Sequence, residues 1–403
     1  MARIVVIGGG SIGLWSALAL LERGHEATVL EAGSILEGCS LKNSGLIVPS
    51  HVVPLAAPGI VAKGIKWLAD ARSPFYLRPS LDPALVRWGA LFHKSANATQ
   101  AARGAAVLAR LSTESLAMFR NVARNMDIGF RESGLLMLCR TPGGLEEELE
   151  AAATARSLGV ESEELSGSRL VTHEPLTDCA GGVLYPGDAQ LDPTLMLATV
   201  ADRLRAEGAD LREHSGPVSL RKDGGRVVAS VGGETVDADC FVLACGARTG
   251  AEMASLGHRV PMVGGKGYSF EVSATALAVQ RPTILVEDRV ALSPLGETVR
   301  FGGTMEIGTS PANVAMNRVQ GIADAVPRYL RAQPPKPSDV WSGLRPCSPD
   351  GLPYVGRTRA ADNLIVASGH AMLGITLSPV TGKLVADSLE GEDDAALSPD
   401  RFA

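Results

Sequence analysis

The chain has 403 residues with a formal net charge of -6, 45 glycines and only 4% aromatic residues. That is enough chain for one large or two smaller cores of an ordinary α/β kind. Mild acidity without a basic stripe argues against a nucleic-acid partner. Six cysteines include no C-x-x-C pair and no zinc spacing, so no metal site is expected and the thiols fit a reducing, cytoplasmic setting.

In chain order, Arg3–Ile7 is predicted as a strand, with no cleavable leader pattern before it. The turn Gly8-Gly9-Gly10-Ser11-Ile12-Gly13 follows, then a helix from Ser11 to about Arg23 ended by Gly24. A second strand, Ala27–Leu30, ends at Glu31. In such a unit Gly8 makes the turn, Gly10 lets a pyrophosphate approach the backbone, and Gly13 packs the helix on the strand. Helix N-terminal amides then face the phosphates, and Glu31 can accept the ribose hydroxyls, which disfavours NADP. The ADP half alone does not separate FAD from NAD.

Residues 46–90 are Pro-rich, with Trp67 and Trp88; the most apolar stretch, 45–65, is broken by prolines and is a poor membrane span. Helices are predicted near 97–126 and 143–158, and the stretch 130–138 as a hairpin or strand pair. A helix over 192–207 starts at Asp192-Pro193. Strands recur near 217–221, 226–231 and 234–237. Phe241–Ala244 is an apolar strand stopped by Cys245-Gly246, suited to a place beside the cofactor. A Gly-rich sheet spans 260–305, a helix lies near 313–332, and Pro334–Pro337 is a linker. After the strand Asn363–Ala367, residues 368–376 form a turn whose amides can face an anion, and a helix runs from about Pro379 to Leu389. Reduced flavin carries negative charge near N1 and O2, so an N-terminal ADP site with a C-terminal amide cradle favours FAD.

The segments Gly8–Gly13, Glu31, 40–45 (Ser40, Asn43, Ser44, Gly45), 266–269, Gly343-Leu344-Arg345-Pro346, 349–351, 355–358, Gly369-His370 and Leu373-Gly374 together resemble one family. It is that of the FAD-dependent amine and amino-acid oxidoreductases, which includes D-amino-acid dehydrogenase, glycine oxidase and sarcosine oxidase. The nearest likeness is to the small-subunit type of D-amino-acid dehydrogenase, through Ala57-Pro58-Gly59, Lys66-Trp67 and 341–346. The resemblance implies a Rossmann-like FAD-binding domain (1–50, 168–258 and 338–403). It also implies a second α+β substrate domain on an antiparallel sheet (51–167 and 259–337). Expected FAD contacts are Gly8, Gly10, Ser11, Ile12, Gly13, Glu31, Ala32, Ser40, Asn43, Ser44, Gly45, Leu46, Val218, Ala244, Cys245, Gly246 and Gly343. Gly369, His370, Met372, Leu373, Gly374, Ile375 and Thr376 complete them at the C-terminal cradle.

The reaction implied is hydride loss from the carbon beside nitrogen of a small amino acid or N-substituted amino acid, leaving an imine that hydrolyses. Arg345 is the expected carboxylate anchor, a fixed fork that stays charged; a structural ion pair is the plainer account. Tyr268 is a second candidate donor, against a core tyrosine on a sheet. His51 lies in the loop after the flavin-contacting segment and is an acid/base candidate, against ordinary polar surface. Monomeric sarcosine oxidases hold flavin covalently through a cysteine whose position here is Gly343, so FAD is expected to be non-covalent. Met372 stands where glycine oxidases carry arginine. Competing classes are an NAD-dependent dehydrogenase, a flavin module acting on RNA, and a subunit dependent on a partner. Were electrons passed to a quinone, residues 52–80 with Trp67, Phe75 and Tyr76 would touch a membrane; a packed helix cap accounts for the same residues.

Overall fold

The computed structural model describes residues 1–60, 64, 73–175, 177 and 179–403, so Lys66 and Trp67 lie outside the described residues. Two sheets carry the fold. The first has five parallel strands in the order Ala361–Ser368, Cys240–Leu243, Arg3–Ile7, Glu26–Leu30 and Asp210–Arg212, with Tyr354–Thr358 antiparallel at the edge. Its strands are apolar on both sides, as a parallel sheet covered on two faces requires. The helices Ser11–Glu22, Pro193–Ala206 and Ser378–Leu389 pack on one face. A three-stranded meander, Val218–Asp223, Arg226–Val231 and Glu234–Val236, is packed on the other. Asp192 caps its helix through the amides of Thr194 and Leu195, with Pro193 at the first turn, as expected.

The second sheet runs Trp341–Cys347, Val263–Ser273, Thr298–Ile307, Val290–Leu295, Thr283–Leu285, Leu135–Cys139, Gly181–Tyr185 and Glu163–Leu165. Most neighbours in it are antiparallel. Helix Met316–Tyr329 covers its back through Val319, Ile322, Ala323 and Val326. The expected hairpin at 130–138 is not formed. Leu135–Cys139 is a single strand paired with Gly181–Tyr185 and Thr283–Leu285, because five consecutive buried residues suit a central strand. Strands Gly181–Tyr185 and Trp341–Cys347 belong to this sheet, whereas the expected segmentation placed both in the first domain. Helix Pro83–Ser95 begins inside the Pro-rich stretch 46–90 and precedes Ala98–Val122. Phe75 and Tyr76 sit in a short strand paired with Met305 and Glu306, and Tyr76 lies under the Arg318 guanidinium at 4.8 Å. Among the described residues, no helix is long and apolar enough to cross a membrane.

Candidate active site

The carboxyl ends of four parallel strands open onto one cavity of about 1120 Å³, whose far wall is the front of the second sheet. Ligands of open parallel sheets sit at that edge. The volume exceeds the roughly 300–1,000 Å³ of ordinary small-ligand pockets, as a dinucleotide plus substrate requires.

At one end is the glycine turn. Gly8 has φ +113°, and a β-carbon there would fall 2.5 Å from the Ala244 carbonyl oxygen. One on Gly13 would fall 1.8 Å from the Gly8 carbonyl oxygen, so the helix can seat only on glycine. Gly10 is open but for the Ser40 hydroxyl at 3.3 Å. That hydroxyl accepts the Ser11 amide at 3.0 Å. Glu31 takes the Gly9 amide on one oxygen (2.7 Å) and the Gly33 amide on the other (3.0 Å), which fixes the carboxylate and leaves lone pairs for two hydroxyls. Ile12, Ala32, Ser40, Asn43, Ser44, Leu46, Val218, Ala244, Cys245 and Gly246 also line the cavity.

The C-terminal cradle faces the same cavity through His370, Met372, Leu373, Gly374 and Ile375. Here the backbone folds on itself, with the Leu373 amide donating to the His370 carbonyl at 2.8 Å and the Leu377 amide to Leu373 at 2.9 Å. His370 is 3% exposed; burial drives its imidazole down to about 3, so it is neutral, and its Nε2 is spent on Thr381 at 2.9 Å. Four expected contacts act behind the surface instead. Gly13 and Gly369 are packed tight, Gly45 (φ +71°) would clash with the Leu191 carbonyl oxygen, and the Thr376 hydroxyl donates to the Leu46 carbonyl at 2.9 Å. An extended dinucleotide with an ADP half at Glu31 and a ring over 370–375 fits these donors and openings.

The second sheet's face is kept open by glycine. A β-carbon on Gly267 would fall 2.1 Å from an Arg345 terminal nitrogen, and one on Gly343 2.0 Å from the Trp341 ring. The Arg345 guanidinium thus lies in the gap over Gly267. It donates to the Thr304 carbonyl at 2.8 Å and forms no ion pair with any described residue. Burial lowers its pKa from the usual value, and the residue lines the cavity with no carboxylate paired to it.

Tyr268 is not beside Arg345. Gly265 and Gly267 pair with Arg345 and Gly343, so pleat alternation turns the Lys266 and Tyr268 side chains toward the other face of the sheet, although Tyr268 still borders the cavity. There the phenol, 1% exposed, donates to Glu306 at 2.7 Å and accepts the Ala315 amide at 3.0 Å. Glu306 also takes Lys266 at 3.0 Å. Its place as a carboxylate donor is corrected to a core tyrosine in a buried ion cluster.

His51 does line the cavity. The buried Asp188 accepts the Ser50 amide (3.1 Å) and hydroxyl (2.5 Å), and that hydroxyl lies 3.1 Å from His51 Nδ1. Burial pushes the His51 imidazole down to about 4, with the Arg289 charge adding to it. Asp188, Ser50, Glu148, Tyr185 and Arg289 were not singled out in the sequence; the signal lay in Gly187-Asp188 and in a charged turn, neither of which names a partner.

Fold and cavity define a two-domain flavoprotein oxidoreductase. The chain belongs to the FAD-dependent oxidoreductase family, whose model matches residues 3–388, and it is an FAD-dependent enzyme. It is 34% identical over its whole length to a D-amino acid dehydrogenase of Xanthobacter autotrophicus, covering 99% of that protein. It is also 34% identical to one of Methylobacterium nodulans, with 96% of this chain and 95% of the other covered. Among solved structures, glycine oxidase of Geobacillus kaustophilus superposes with a TM-score of 0.77 at 24% identity, each chain covered in full.

Proposed function

We propose that this protein oxidises the carbon–nitrogen bond of an amino acid, anchored by its carboxylate to Arg345, with FAD held non-covalently. The observation that carries the reading is a half-buried guanidinium facing the cavity with no protein carboxylate beside it. A cation so placed is costly unless an anion arrives. Bound FAD supplies the two-electron acceptor for the hydride. The relatives named as D-amino acid dehydrogenases support the substrate class.

His51 has a positioning part in this reading. The Ser50 hydroxyl donates to Asp188, so it accepts from Nδ1–H and leaves Nε2 as the lone-pair side. A neutral imidazole facing the cavity can accept a hydrogen bond from the substrate amine at Nε2, which orients the amine for hydride loss. Water then hydrolyses the released imine. The cysteine spacing, which holds no C-x-x-C pair, supports a cytoplasmic, reducing location.

The test is anaerobic bleaching of the flavin by an amino acid against its decarboxylated amine. Reduction by D-alanine and D-norvaline with none by ethylamine and butylamine is expected. Equal reduction by the amines would overturn the carboxylate anchor.

A further inference from the structure

The hairpin joining Thr283–Leu285 to Val290–Leu295 turns through residues 286–289 and ends on Arg289 at φ +53°. Hairpin loops favour glycine or asparagine at such a left-handed position, so arginine is held there against backbone preference. The turn is pinned. The Glu287 and Asp288 amides donate to the Tyr329 hydroxyl at 3.1 and 3.2 Å, and Tyr329 donates to Glu287 at 2.8 Å. Glu287 also accepts the Thr141 amide and hydroxyl, and Asp288 pairs with Arg328 at 2.5 Å. Both neighbouring carboxylates are therefore committed elsewhere, and the exposed Arg289 side chain has no hydrogen bond or ion pair with any described residue, its amide alone donating to the Val286 carbonyl at 3.3 Å.

Arg289 lines the cavity with His51, Glu148 and Tyr185. The antiparallel register sets Ala291 opposite Gly302, which continues to Arg289 beside Thr304. Thr304 is the residue whose carbonyl takes Arg345. Two unpaired guanidinium groups thus converge on one stretch of cavity wall, from opposite sides of the Thr298–Ile307 strand. The other titratable groups there offset that charge only in part. Glu148 accepts the Tyr185 hydroxyl at 2.9 Å, and burial raises its carboxyl to about 7; His51 is neutral, and burial raises the Cys139 thiol.

We propose that Arg289 forms a second anion subsite and that the substrate is an amino acid carrying a second carboxylate. The inference rests on the amino-acid oxidoreductase reading above. The second carboxylate can stand on the side chain or on the nitrogen. The two sources share one chemistry and are separated by experiment.

The test uses the holoprotein under anaerobic conditions with D-glutamate, N-carboxymethylglycine, D-glutamine and D-norvaline, comparing wild type with Arg289→Gly. Glycine suits the turn's φ, so the variant is expected to fold, and its flavin content and Tm are read first. At least one dicarboxylate should reduce the flavin with kcat/KM about tenfold or more above D-norvaline and D-glutamine, as a charge-assisted contact implies. Preference for D-glutamate places the second carboxylate on the side chain, and preference for N-carboxymethylglycine on nitrogen. Arg289→Gly should abolish that preference by raising KM for the dicarboxylate at least about tenfold more than KM for D-norvaline. Glutarate, which has no oxidisable nitrogen, should perturb the flavin spectrum of wild type at a concentration about tenfold lower than in the variant. A wild type that prefers D-norvaline or D-glutamine, or a variant that weakens all four alike, overturns the subsite but not the amino-acid reading. Failure of all four, and of the monocarboxylates above, to bleach the flavin overturns both.

Discussion

On the proposed function, the ADP end of the cavity would grip its ligand with backbone and the substrate end would work with side chains. Gly8, Gly10, Gly13 and Glu31 come from one stretch of 24 residues, and their effect depends on what is missing from them or on amides beside them. Arg345, Gly267, Thr304, His51 and Arg289 come from five separate segments that only the second sheet and its loops bring together. Backbone geometry is local and leaves a spacing in the sequence. Side-chain convergence is set by strand order and pleat, which no spacing records.

The sharpest way to break this contrast is Gly13→Val. Its β-carbon would fall 1.8 Å from a backbone oxygen that cannot move without unseating the first strand. The expected outcome is protein that purifies without flavin absorbance or does not fold; a flavin-replete variant would show that the turn is not a close-packed grip. Glu31→Gln comes next. It removes the charge while keeping one acceptor, and FAD affinity should fall about tenfold, about 1–2 kcal/mol, measured by fluorescence titration of the apoprotein. Tyr268→Phe tests the correction made to the other end. Loss of the Glu306 bond should lower stability by about 1–2 kcal/mol in urea, with KM for any carboxylate substrate within about twofold of wild type. A large KM effect would return Tyr268 to the substrate.

The smallest effect concerns pH. Burial raises the Asp188 carboxyl from 3.8 to about 7. A folded pKa above the unfolded one means the folded state holds the proton more tightly. That contribution is complete below about 3.8 and is lost as pH rises through about 7. Asp188→Asn does not titrate, so its Tm should gain on wild type as pH goes from about 5 to about 8. A constant difference would show that Asp188 is not raised.

Much of the fold was legible because periodicity and turn chemistry agree with it. The strand, turn and helix at 3–22, the Asp192-Pro193 helix start and the meander at 218–236 all lie where local pattern puts them. Leu135–Cys139 was misjudged as half of a hairpin because its partners lie at 181–185 and 283–285, beyond any local signal. The anchor role proposed for Arg345 draws on its fork chemistry, its place between Leu344 and Pro346, and the resemblance, none of which carries its geometry in the sheet. Tyr268 misled for a physical reason: it is one residue from Gly267, and one residue in a strand is the opposite face. Arg289 was invisible because glycine or asparagine, not arginine, advertises a left-handed turn.

The most direct test of the central claim is anaerobic flavin reduction in Arg345→Met against wild type, at equal flavin content and over a range of amino-acid concentrations. Loss of a charge-assisted pair of about 2–3 kcal/mol predicts an apparent substrate constant roughly 30- to 150-fold higher, with FAD still bound. An unchanged constant in a flavin-replete variant would contradict the account.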